Sequence, residues 1–106
     1  MKRIPTAMAA LAMFSIAGAV RAQTLVEAAR GHEFAQQICA ECHAVEKRQG
    51  RSPNGEAPSF EEIATTPGMT SIALTAALRT VHRRMPNLIL SDEQTKNVIA
   101  YILSLK

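Results

Sequence analysis

The sequence predicts an all-helical domain, and three observations carry that expectation. No segment alternates apolar and polar residues over the length of a strand. Thr24-Leu25-Val26-Glu27 and Ser91-Asp92-Glu93-Gln94 both have the Ser/Thr-x-x-Glu/Gln pattern in which an N-cap hydroxyl and an acceptor three residues on satisfy each other's backbone donors. Val98, Ile99, Tyr101, Ile102 and Leu105 then recur at helical spacing.

Taken in order, the elements begin with an address label. Lys2 and Arg3 precede an apolar stretch over residues 7–20, and Val20-Arg21-Ala22 puts small residues where an exporting signal peptidase cuts, so residues 1–22 are predicted to be a signal peptide removed after Ala22. A retained membrane anchor is the alternative, but about 14 apolar residues fall short of the 18 or more of a spanning helix. Residues 23–106 form the predicted domain. Its first helix opens at Thr24 and runs to about Ile38, with Val26, Phe34, Ala35 and Ile38 near one face. Residues 45–58, with Gly50, Pro53, Asn54, Gly55 and Pro58, read as loop. A short helical turn is expected at residues 60–64, and a helix over 70–78 capped by Thr70 or Ser71 after Pro67-Gly68. Pro86 interrupts regular structure before the closing helix, which Ser91 caps.

Charge removes one class of partner. The chain has 12 Lys plus Arg against 9 acids, but Lys2, Arg3 and Arg21 belong to the label, leaving 9 of each in the domain. The basic balance therefore implies no nucleic-acid or anionic-membrane partner. The domain is also poor in bulk: Phe34, Phe60 and Tyr101 are its only aromatics, so a prosthetic group is needed to fill the interior of so small a chain.

That group is named by Cys39-Ala40-Glu41-Cys42-His43. The only two cysteines stand three apart with a histidine directly after the second, the spacing for covalent attachment of one c-type haem, with His43 beneath the iron. A disulfide between Cys39 and Cys42 would close too short a loop to add much stability and would leave His43 unused. A zinc or redox-dithiol module needs further ligands or a βαβ pattern, and neither is present in the sequence.

The opposite face of the iron decides between electron transfer and ligand binding. His32, Met69, His82 and Met85 are the candidates. His32 precedes the motif on its own helix and is taken as a surface residue, and Met69 reads as a core or cap contact. Met85 is favoured because Pro86 pushes it into extended geometry, on a strap from which a flexible, soft thioether can reach inward. His82 is the runner-up.

Together, Cys39 to His43 early, Met85-Pro86 late and a closing helix with Ala100-Tyr101 resemble a small bacterial class I cytochrome c, over nearly the whole domain. The resemblance implies the cytochrome c fold, three to five helices wrapped around one covalent haem. It places Gly31, eight residues before Cys39, where the first helix crosses the last, and Tyr101 as the aromatic at that crossing; the second aromatic expected four residues after the glycine is Ala35 here. It makes the Pro58 carbonyl the acceptor that orients His43. Its functional implication is a periplasmic one-electron carrier with iron between His43 and Met85, not an enzyme, exchanging electrons with a redox protein donor and acceptor and without a stable membrane span once the label is cut. The alternatives are a haem enzyme or gas-binding sensor with an open iron position, and a cytochrome subunit of a dehydrogenase complex. The cluster Arg79, Arg83 and Arg84 beside Met85 serves solvation, the haem propionates or partner docking.

Overall fold

A computed structural model of the chain describes residues 7–82 and 84–106. Helix α1 (Ala7–Phe34) leads into a π-helical turn (Ala35–Cys39), followed by α2 (Phe60–Thr65), α3 (Ser71–Arg79) and α4 (Asp92–Leu103). No strand occurs among the described residues, and the fold is all-α. Residues 40–59 and 66–70 and a strap over 80–91, described except at residue 83, connect these elements, and none of their described residues is in a regular helix.

Local chemistry sets most boundaries. Ser59 and Glu62 cap α2 reciprocally, Thr70 accepts from the Ala73 N–H at the start of α3, and Ser91 and Gln94 form the expected capping box of α4. Thr80, with φ −114° and ψ 130°, ends α3 by turning the chain into the extended strap.

The start of the first helix differs from expectation. Thr24 caps nothing: its hydroxyl donates to the Val20 carbonyl at 3.1 Å, deep inside the continuous α1. Because the residues before it are themselves helical, a carbonyl four residues back is within reach, and the hydroxyl bonds it instead of an N-terminal amide. Val26 and Ile38, expected on the buried face, are also exposed. No helix among the described residues is long and apolar enough to cross a membrane.

The centre of the fold is the crossing of α1 and α4. A Cβ at Gly31 would overlap the Asn97 carbonyl and come within 2.9 Å of the Tyr101 Cβ, so only glycine permits this approach. Around it lies a single core that includes Ala35, Val45, Phe60, Ala64, Leu74, Val98, Ile99, Ile102 and Leu105. Two surface ion pairs, Arg30–Glu93 at 3.3 Å and Lys96–Glu27 at 3.5 Å, flank the crossing.

Candidate functional site

The π-helical turn delivers the chain into the Cys-x-x-Cys-His segment. Its widened ring, closed by the Ala40 N–H donating to the Ala35 carbonyl at 2.9 Å, ends α1, a place where such wide turns commonly mark functional segments. The amides of Cys42 and His43 then both donate to the Cys39 carbonyl, at 3.2 and 2.9 Å. One carbonyl thus gathers Cys39, Cys42 and His43 on a single tight turn. Both cysteines are free thiols, each half-buried; Cys39 packs against the core, and burial pushes its thiol up to about 11.

The loop after the motif folds back on it. Ser52 Oγ accepts from the Ala44 N–H at 3.0 Å, the Asn54 N–H donates to the Cys42 carbonyl at 3.1 Å, and the Phe60 N–H donates to the Ala44 carbonyl at 2.9 Å. These bonds carry Pro58 to the imidazole: His43 Nδ1 lies 2.7 Å from the Pro58 carbonyl oxygen. A carbonyl only accepts, so Nδ1 carries the hydrogen, and Nε2 is the ring atom that can present a lone pair to a metal. Phe60 braces the same ring, with centroids 5.5 Å apart.

Met85 lies on the strap, half-buried, its N–H donating to the His82 carbonyl at 3.2 Å. The strap is tied to the loop by Arg84, whose guanidinium meets Glu56 at 2.9 Å, two residues before Pro58. Arg79 pairs with Asp92 at 3.0 Å, while Arg83 lies outside the described residues. Two members of the basic cluster are therefore engaged by the chain's own carboxylates. Met69 packs against the core, and exposed His82 donates from Nδ1 to the Thr80 carbonyl at 2.9 Å.

His32 departs from the expected surface role. Its Nε2 is 2.8 Å from both carboxylate oxygens of Glu46, and its ring stacks on Tyr101 with centroids 4.6 Å apart and planes 23° from parallel. Gln36 also donates to Glu46, at 2.8 Å; hydrogen bonds from His32 and then Gln36 hold that carboxyl below its usual range. Beside it the Tyr101 hydroxyl donates to the Val45 carbonyl at 2.6 Å, and burial, reinforced by the Glu46 charge, pushes the phenol up to about 12. The one hint of this arrangement in the sequence is Ala35, the missing aromatic.

The donor set suits a tethered porphyrin: two thiols on one turn, an imidazole with Nδ1 committed, and a half-buried thioether on the later strap. Ile38, next to Cys39, and Val81 and Ile89, on the strap around Met85, expose large apolar surfaces that such a group can cover. Among the described residues no three His, Cys, Asp or Glu side chains gather to hold a metal ion directly. The family described as cytochrome C oxidase, cbb3-type, subunit III matches residues 26–102. The chain belongs to the small class I c-type cytochromes. It is 30% identical over 94 residues to cytochrome c-552 of Bradyrhizobium diazoefficiens, covering 89% of each chain. No solved structure matches it. This c-type cytochrome is a haem-based electron carrier whose covalent haem and iron are implied by the family, with Cys39 and Cys42 in the attachment motif. Carriers of this family are generally not enzymes.

Proposed function

We propose that the protein is a periplasmic one-electron carrier in which His43 and Met85 are the axial ligands of the iron, Cys39 and Cys42 form the two thioether links, and Pro58 orients His43. The observation that carries this reading is the 2.7 Å bond from His43 Nδ1 to the Pro58 carbonyl, because it fixes the tautomer in which Nε2 is free to ligate and raises its basicity. When bound, the haem supplies one reversible electron change, ferric to ferrous. The rest is done by the chain. His43 and Met85 would hold the iron, and buried Phe60 braces the imidazole. The Met85 thioether favours the ferrous state and sets a higher potential than a second imidazole would.

Export follows from the label over residues 1–22, cut after Ala22. Cleavage would make Thr24 the second residue of the mature chain, where its hydroxyl exchanges the Val20 carbonyl for the amide of Glu27 and the capping box closes. The mass of the mature protein tests the cut. The family description names an oxidase subunit, which favours a second reading of the partner: an electron-entry subunit of an oxidase complex rather than a freely diffusing carrier. Copurification with membrane-bound oxidase polypeptides would support the subunit, and a soluble monomer the free carrier.

The ligand test is spectroscopic. The ferric protein should show the weak near-infrared band of sulfur bound to iron; Met85→Ala should abolish it and lower the potential, while Met69→Ala should leave both unchanged. The reverse pattern would reassign the ligand. A native high-spin spectrum with ready carbon monoxide binding would replace the carrier with a ligand-binding haem protein.

A further inference from the structure

We propose that His32 is a redox-linked proton site: it takes up a proton when the haem iron gains an electron and releases it on oxidation. The inference builds on the electron-carrier function and on no particular sixth ligand.

The first support is where His32 sits. Its ring stacks on Tyr101 of α4, and its Nε2 meets the carboxylate of Glu46, three residues after His43. The groups recorded against it are Glu46 from the segment after the motif and Tyr101 from α4, with Gln36 of the π-helical turn sharing the Glu46 carboxylate. Near neutral pH neither ionisable neighbour changes state, since hydrogen bonds hold Glu46 ionised and burial keeps the Tyr101 phenol protonated. His32 is the remaining ionisable side chain of the group. Both carboxylate oxygens accept from Nε2, so Nε2 keeps its hydrogen throughout and Nδ1 is the atom that gains or loses the proton. The side chain is 37% exposed, enough for solvent to supply that proton.

The second support is the path to the haem-attachment segment. Ring contacts run without a break from His32 to Tyr101 at 4.6 Å, from Tyr101 to Phe60 at 6.3 Å and from Phe60 to His43 at 5.5 Å. Phe60 and Tyr101 are buried, so charge at one end is felt at the other through protein and not through water, and screening is weak. An electron arriving from the redox partner removes one positive charge at the iron, which favours the cationic imidazolium. The proton comes from solvent, and no bond other than Nδ1–H is made or broken. Linkage makes the effect reciprocal: protonating His32 raises the potential.

The experiment measures the midpoint potential of the holoprotein from pH 5 to 9 in wild type, His32→Phe and His82→Gln, together with the His32 titration by NMR in each oxidation state. Wild type and His82→Gln should show a potential that falls as pH rises through the His32 titration, and His32→Phe, which keeps a ring on Tyr101, should be flat there. The His32 pKa should be higher in the ferrous protein. Equal pKa values in the two states, or an unchanged pH profile in His32→Phe, would overturn the proposal. Should His32→Phe fail to fold, the two NMR titrations of the wild type decide alone. The near-infrared band, followed in the same samples, reports separately on whether sulfur ligation is intact.

Discussion

The crossing of α1 and α4 and the strap over residues 80–91 are held by opposite means. At the crossing, polypeptide meets polypeptide: Gly31 lets two backbones touch, Val98 and Ile102 are almost wholly buried, and Tyr101 has its hydroxyl satisfied by Val45. The strap has Val81 and Ile89 exposed, Met85 half-buried, and the Arg84–Glu56 pair on the surface. One side of the molecule is complete as protein; the other has apolar surface that the prosthetic group is there to cover. The crossing is thus closed by the chain alone, whereas the strap keeps apolar surface open.

Three substitutions test that division, beyond the ligand and proton experiments above. The largest effect belongs to Gly31→Ala. Its methyl would meet backbone that cannot move aside, so a loss of about 3 kcal/mol is expected in denaturant unfolding of the holoprotein. A loss under about 1 kcal/mol would mean the helices can separate cheaply. Next is Tyr101→Phe, which strands the Val45 carbonyl in a buried site and should cost about 2 kcal/mol. Tyr101 also gives this variant a pH signature. Its folded pKa lies above the ordinary tyrosine value of about 10, so its contribution is full below pH 10 and is lost as pH rises toward about 12. Tyr101→Phe should lack that alkaline loss, whereas an unchanged alkaline profile would point to another group. The smallest effect is expected of Arg84→Gln, whose partners are both highly exposed; stability should change by well under about 1 kcal/mol. A larger loss would show that the strap depends on its ion pair and is not anchored chiefly by the haem.

Sequence reading was most successful where a local rule decides the outcome. Hydroxyl caps at Thr70 and Ser91 each follow from one residue's own chemistry, the close approach at Gly31 is what the family resemblance implies, and the structure has all three. The cap at Ser59 has the same pattern but stands at the end of a loop-like composition that hides it. Thr24 failed because its environment is set by the residues before it: in a chain that still carries them, the hydroxyl has a carbonyl to bond. His32 was misread for a different reason. Its partners, Glu46 and Tyr101, are distant in sequence and are brought to it only by the crossing, so no local pattern marks it. The haem motif itself was legible in full, because covalent attachment constrains neighbouring residues.

The contact between Gly31 and Asn97 also bears on the order of events during biogenesis. Its two halves lie near opposite ends of the domain, so the loop that joins them is long and closes slowly. A nascent polypeptide cannot complete this embrace before its final helix has been synthesised, and until then Cys39 remains uncovered by the packed interior. The carboxyl-terminal segment thus completes the core against which Cys39 packs, and both thiols stay half-buried once it has docked.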